Sequence, residues 1–230
     1  MSETLLEGLG LKRTYWLGAT PVHALGGVDV TIRRGEFVVL KGPSGSGKTT
    51  LINLLGLLDR PDAGSLTLDG LSVAAMDENA RADLRRDRFG FVFQSFNLVA
   101  VLSASENVEY PMMLKGVPPK TRRQHALDLL SRVGLSAKEA VRPDLLSGGR
   151  RQRVAVARAL ANEPEVILAD EPTANLDSKT ADEVLDLMTR INEDRRVAFV
   201  LSSHDPRVVA RAQRVLTLED GRLAASLTPQ

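Results

Sequence analysis

One stretch constrains this chain more than any other: Gly42-Pro43-Ser44-Gly45-Ser46-Gly47-Lys48-Thr49. It follows a short apolar run, Phe37-Val38-Val39-Leu40, and precedes Leu51, Leu54, Leu55 and Leu58 at helical spacing. That order reads as a buried strand, a glycine-rich turn and a helix opened by a lysine and a hydroxyl. Glycines let the backbone curl around an anion, and a helix N-terminus adds a favourable potential for negative charge. The spacing G-x-x-x-x-G-K-[ST] in this context predicts a loop that grips the phosphates of a nucleotide, continuing through Thr50. A chance match in a chain this long arises on the order of one per cent of the time, before context is counted. Lys48 is expected beside the β- and γ-phosphates. The Thr49 hydroxyl is expected to ligate Mg²⁺, a hard cation that takes oxygen.

Further apolar runs repeat the strand–helix rhythm. Val166-Ile167-Leu168-Ala169 reads as a buried strand ending at Asp170-Glu171, and Val197 to Leu201 as another ending before Ser202-Ser203-His204-Asp205. Between them Val184, Leu187, Met188 and Ile191 recur at i, i+3, i+4, i+7, one apolar helix face. Alternation of this kind predicts an α/β fold, a P-loop NTPase core on a mainly parallel sheet, over residues 37–59, 89–95 and 163–230. Residues 1–36 and 60–80 alternate apolar and polar positions and predict a small antiparallel β-subdomain. Residues 96–162 read as helical throughout, an inserted helical subdomain. In it Ala126, Leu127, Leu130 and Val133 form a stripe stopped at Gly134, and Ser147 caps a helix that ends before Pro164. No repeat or low-complexity linker divides the 230 residues, so one domain is expected.

Composition narrows the partners. Thirty Lys and Arg against 29 Asp and Glu leave a net charge of +1, which gives no electrostatic reason to expect nucleic acid. There is no cysteine, so disulfides and thiolate metal sites are excluded. The first residues carry Glu3 and Glu7 and do not resemble a secretory signal. No window approaches 18 consecutive apolar residues, so any membrane role is expected to run through another chain.

In open parallel sheets, ligands bind beyond the carboxyl ends of the strands. Asp170 is expected to hold Mg²⁺ through its water shell, and Glu171 to orient or deprotonate an attacking water. His204 is placed to contact the γ-phosphate, and Gln94, after Phe91-Val92-Phe93, to complete the Mg²⁺ shell. Each has a blander alternative: a helix start at Asp-Glu-Pro, a surface amide, a structural histidine such as His23 and His125. Joint occurrence with the phosphate loop favours the chemical reading.

Leu146-Ser147-Gly148-Gly149, continuing Arg150-Arg151-Gln152-Arg153-Val154-Ala155, resembles the signature segment of ABC ATPases. The likeness covers nearly the whole chain in the family's order: phosphate loop, Gln94, signature, Asp170-Glu171, Asn175-Leu176-Asp177, His204. It implies a head-to-tail homodimer in which Ser147 and Gly149 of one subunit, with Gly148 between them, close over ATP held by the other's phosphate loop. It further implies Glu171 as catalytic base beside Lys48, His204 as switch residue, Asp177 as a cross-subunit contact, and Tyr15, next to Trp16, as an aromatic stacking on adenine. Ser147 also reads as a plain helix cap. Arg150 departs from the glutamine most often found there.

Gly90 to Leu98 and Glu106-Asn107-Val108 look like the subfamily serving macrolide-exporter-type and lipoprotein-releasing permeases. That implies an ATPase subunit, cytoplasmic and peripheral on the inner face of the cell membrane, docking a separate permease chain on residues 96–114 for export or extraction. The apolar residues there are Phe96, Leu98, Val99, Val101, Leu102, Met112 and Met113. Two alternatives stay open: the ATPase of a non-transporting cell-envelope machine, and a soluble ABC ATPase acting on nucleic acid. The second usually carries two cassettes or a long coiled-coil insertion, and neither is seen here.

Overall fold

A computed structural model describes residues 3–224. Its centre is a six-stranded sheet in the order β10-β9-β3-β8-β7-β6, formed by β3 (Phe37–Lys41), β6 (Phe89–Phe93), β7 (Val166–Asp170), β8 (Ala198–Ser202), β9 (Arg214–Glu219) and β10 (Arg222–Leu223). The first five are parallel where they pair, and only β10 runs antiparallel to its neighbour β9. A second sheet, β2-β1-β4-β5, is antiparallel and contains β1 (Thr4–Leu17), β2 (Thr20–Arg33), β4 (Ala63–Leu68) and β5 (Leu71–Ser72). The helices are α1 (Lys48–Leu55), α2 (Glu78–Arg88), α3 (Ala104–Leu114), α4 (Pro119–Arg132), α5 (Gly148–Ala159), α6 (Ser178–Arg195) and the short α7 (Pro206–Val209). The expected α/β class, with a small antiparallel sheet and a helical part, is the class found.

The central strands read as unbroken apolar runs because both faces are covered. Period-two alternation divides them between two cores. Phe37, Val39, Ile167, Ala169, Phe199 and Leu201 join the core under α3–α6, with the Phe37 and Phe199 rings stacked at 5.5 Å. Val38, Leu40, Val166, Leu168, Ala198 and Val200 join the core shared with α1 and the antiparallel sheet. Full burial of each large side chain stabilises by about 1.5–3 kcal/mol, so one sheet binds both halves of the molecule. Register decides where the chemistry lies. Leu40 and Asp170 both pair with Ser202, and Phe93 pairs with Asp170, so four strands end along one edge.

Several local expectations change. Residues 96–162 are not helical throughout: α3, α4 and α5 are separated by turns, with a single 3-10 turn at Pro143–Leu145 across the stretch from 133 to 147. In α4 it is Leu129, rather than the half-buried Leu127, that is buried with Ala126, Leu130 and Val133. Helix α1 stops at Leu55, and Leu57, at φ 59°, turns into the core in place of Leu58, which is exposed. Helix α2 carries almost no apolar periodicity, Arg81 being its one buried residue, so the sequence pattern does not predict it. In the 96–114 segment, Phe96 and Met112 are buried, whereas Val99, Val101, Met113 and Leu114 are exposed.

Candidate functional site at the carboxyl edge of the parallel sheet

The glycine loop leaves β3 and enters α1 with little room for side chains. A Cβ on Gly42 would stand 2.1 Å from the Leu218 carbonyl oxygen, and one on Gly47 would stand 2.4 Å from that of Ala24. Gly47 is the N-cap of α1 at φ 102°, in the left-handed region that glycine enters without strain. No side chain caps this helix, and its first turn holds no acid. The positive end of α1 therefore stands open. Lys48 is 9 % exposed, and its Nζ donates to the carbonyls of Gly42 at 2.8 Å and Pro43 at 2.9 Å. Its partners are carbonyl oxygens rather than carboxylates, so the charge is held but not neutralised.

At the end of β7 the Thr49 hydroxyl donates to Asp170 Oδ2 at 3.0 Å, and the Ser202 hydroxyl donates to Asp170 Oδ1. Glu171 follows in the left-handed region at φ 44°. Its N–H donates to the Ser202 carbonyl at 3.1 Å, which pins the turn, and its carboxylate faces the next loop. There the Ser203 hydroxyl donates to Glu171 Oε2 at 3.3 Å, and His204 Nδ1 lies 3.0 Å from Oε1. Ser202 and Ser203 are wholly buried, while His204 is 75 % exposed in its side chain. The role of the two serines cannot be read from the sequence, because it depends on which strand lies beside β7.

These groups meet in one cleft of about 460 Å³. Its walls include Ser44, Gly45, Gly47, Lys48, Thr49, Thr50, Gln94, Asp170, Glu171 and His204. Val22, His23, Ala24 and Ala174 complete it, so His23 is a wall residue rather than a purely structural one; its Nδ1 lies 3.1 Å from Thr14 Oγ1. Gln94 is held through its backbone, whose carbonyl accepts from Asn175 Nδ2 at 3.0 Å. Just beyond, Phe96 and Asn97 take φ 64° and 46°. Arg158 of α5 clamps them, Nη2 donating to the Phe96 carbonyl at 2.9 Å and Nη1 to that of Asn97. Burial pushes the Arg158 guanidinium below its ordinary value.

Other expected residues lie elsewhere. Tyr15 is not among the cleft walls; its hydroxyl donates to Asp59 at 2.9 Å and Arg13 covers its ring at 4.9 Å, although its cross-strand partner Val22 reaches the cleft. Ser147 caps α5 by accepting from Arg150 N at 3.5 Å. Ser147, Gly149 and Arg150 line a separate hollow of about 270 Å³ with Arg153, Thr180 and Glu183. Gly149 packs so closely that a Cβ would stand 2.1 Å from Thr180 Cγ2. Asp177 caps α6 by accepting from Thr180 N at 3.0 Å, and hydrogen bonds from Thr180 hold its carboxyl below the usual range. A buried amide ties α5 to the turn after β7: Gln152 Nε2 donates to the carbonyl of Pro172, the residue after Glu171, at 2.7 Å.

Residues 25–174, more than half of the chain, match the family described as ABC transporter. The chain belongs to the ABC transporter family. Among other members, it is 48 % identical over 228 residues to a macrolide export ATP-binding/permease protein of Paracoccus denitrificans, and this alignment covers 98 % of the chain. It spans only 34 % of the length of that relative. It is 43 % identical to a lipoprotein-releasing system ATP-binding protein of Legionella pneumophila, covering 98 % of this chain and 99 % of the other. Among solved ABC structures, a dimeric bacterial ABC transporter cassette superposes with a TM-score of 0.91 at 40 % identity, covering 98 % of this chain and 99 % of that one. A dimeric post-hydrolysis cassette bound to ADP and phosphate gives the same TM-score at 39 % identity.

Proposed function

We propose that this ABC family member binds and hydrolyses Mg²⁺-ATP as one of two copies that enclose the nucleotide between them, and that the cycle drives a membrane permease for export or extraction. The observation that carries the reading is convergence at one sheet edge: an uncapped helix N-terminus, a buried lysine, a hydroxyl–carboxylate pair and a second carboxylate bonded to a histidine. The uncapped N-terminus of α1 suits a triphosphate, and Gly42 and Gly47 let the loop pack against the Leu218 and Ala24 carbonyls, where a Cβ would collide. Thr49 and Asp170 offer adjacent hard oxygens that would hold Mg²⁺ together with phosphate oxygens and water, and Gln94 on the neighbouring strand end would add an amide oxygen. When bound, the ion supplies charge neutralisation at the phosphates. Glu171, steadied by Ser203 and His204, orients water and accepts its proton. With Nδ1 directed at Glu171, His204 Nε2 is the atom left to meet the terminal phosphate.

The hollow at Ser147 and Gly149 lies outside the cleft, which supports its use toward nucleotide on a second copy; the dimeric relatives support the same pairing. For the permease, an apolar groove of about 330 Å³ lies between β6, α3 and α5, with Leu58, Phe91, Phe93, Tyr110 and Leu114 among its walls. Val99, Val101 and Met113 of the same 96–114 segment are also exposed, and no helix among the described residues is long and apolar enough to cross a membrane. The names of the macrolide-export and lipoprotein-releasing relatives favour export or extraction.

The test is Glu171→Gln, which keeps shape and removes the base. Phosphate release should fall by about 100-fold or more, the scale of general-base catalysis. The variant should elute as a dimer in ATP on size-exclusion chromatography. Turnover near that of the parent chain would refute the assignment.

A further inference from the structure

His204 and Asp177 lie in different loops, one bearing on Glu171 and the other at the start of α6, yet the structure joins them through a single side chain. Asp205, next to His204, caps α7 and receives Arg207 as a fork: Nε donates to both carboxylate oxygens at 3.1 Å, and Nη2 donates to Oδ2 at 2.6 Å. The remaining arm, Nη1, donates to the Ser178 carbonyl at 3.0 Å. Ser178 is the first residue of α6, directly after its cap Asp177.

Both ends of this link reach functional groups. On one side Asp205 N donates to Ser203 Oγ at 3.1 Å, and the same hydroxyl donates to Glu171 Oε2. On the other, the first turn of α6 carries Thr180, whose amide donates to Asp177 and whose methyl abuts Gly149 of the signature turn. Arg207 is not among the cleft walls, and its guanidinium is engaged by Asp205 and the Ser178 carbonyl. An arginine is suited to the task because its planar fork satisfies a carboxylate and still presents a donor in a fixed direction. The pairing with Arg207 also keeps the Asp205 carboxyl below its ordinary value, so the fork persists at neutral pH.

We propose that Arg207 is a positioning residue that couples the His204–Glu171 hydrolytic pair to the Asp177–Gly149 edge where a second copy closes. The proposal rests on the two-copy ATPase reading above. Through this link, closure at α6 sets the placement of His204, and the state of His204 is felt at the closing surface.

The experiment compares the full chain with Arg207→Ala, Arg207→Lys and, as a neighbouring control, Arg211→Ala. Arg211 anchors the same segment on Asp182 and Asp186 of α6 without touching Asp205 or Ser178. Turnover against ATP concentration, affinity for a fluorescent ATP analogue and melting temperature are measured on each. Arg207→Ala should lower kcat by about tenfold, as a coupling loss of this size implies, and bring the Hill coefficient toward one. Analogue affinity should stay within about twofold of the parent. Arg207→Lys, which keeps the charge but loses the fork, should recover only part of the cooperativity. Unchanged kcat and Hill coefficient in Arg207→Ala would overturn the proposal. So would an equal fall in Arg211→Ala, or a fall matched by lost analogue affinity and melting temperature. A parent chain that binds no nucleotide, or turns it over without pairing, overturns the two-copy reading itself and this proposal with it.

Discussion

Helices α1 and α5 both follow glycine-containing turns, Gly47 before α1 and Gly148 opening α5, yet their N-termini are finished differently. Gly47 gives α1 no side-chain cap, and a buried lysine stands beside the open end. Ser147 gives α5 a hydroxyl cap, and Arg150 and Arg151 close its first turn. At the first end, loop, lysine and strand ends are brought together within one chain by the register of one sheet, which supports the proposed anion grip. The second shares its hollow with none of them and satisfies itself locally. The difference teaches that a helix N-terminus becomes a site only when the fold withholds its cap or another surface supplies the rest.

The sharpest way to break this contrast is Lys48→Ala. With the proposed charged contact to phosphate gone, titration calorimetry should show nucleotide binding weakened by about 100-fold or more. Affinity close to that of the parent chain would mean that Lys48 is no part of the grip and that the two helix ends differ less than proposed. Gly149→Ala comes next. Its new methyl collides with Thr180, so thermal unfolding should report a loss of about 1–3 kcal/mol, with turnover reduced and single-chain nucleotide affinity intact. Ser147→Ala should cost about 0.5 kcal/mol, the low end for a lost cap, since the hydrogen bond to Arg150 N is already long at 3.5 Å. A larger fall in turnover than in stability would sharpen its role toward a second copy.

The smallest effect belongs to Asp177→Asn. The Asp177 carboxyl is held below its ordinary value, so its contribution to folding is complete above the unfolded-chain value of ~3.9 and fades as pH drops through the lower folded value. Asparagine also caps helices well. The melting-temperature gap between variant and parent should therefore be slight at neutral pH and close in acid. A gap that widens in acid would contradict the hydrogen bonding described here.

The glycine turn between β3 and α1 was legible in the sequence because its requirements are local: glycine where backbone crowds, lysine and threonine where a helix starts. The strand-end acids were legible because a buried parallel strand announces its end. Ser202 and Ser203 were not, since nothing in their own neighbourhood says that Asp170 and Glu171 lie alongside. Helix α2 was invisible to periodicity because Arg81 is its one buried residue, a guanidinium donating to the Leu57 and Asp59 carbonyls in place of an apolar stripe. Leu57 and Leu58 exchanged roles because the chain leaves the helix at Gly56, and a helical stripe cannot foresee that. Tyr15 and Trp16 remained ambiguous because neighbouring strand residues face opposite sides and only the sheet decides between them.

The left-handed backbone at Glu171 sets a limit on how this molecule can be improved. A residue with a Cβ in that region costs about 1–2 kcal/mol that glycine would not incur. A screen for heat resistance would thus be drawn to this very position. The hardier product, relieved of its twist, would carry no acid where the proposed chemistry needs one, so durability and work oppose each other at a single dihedral angle.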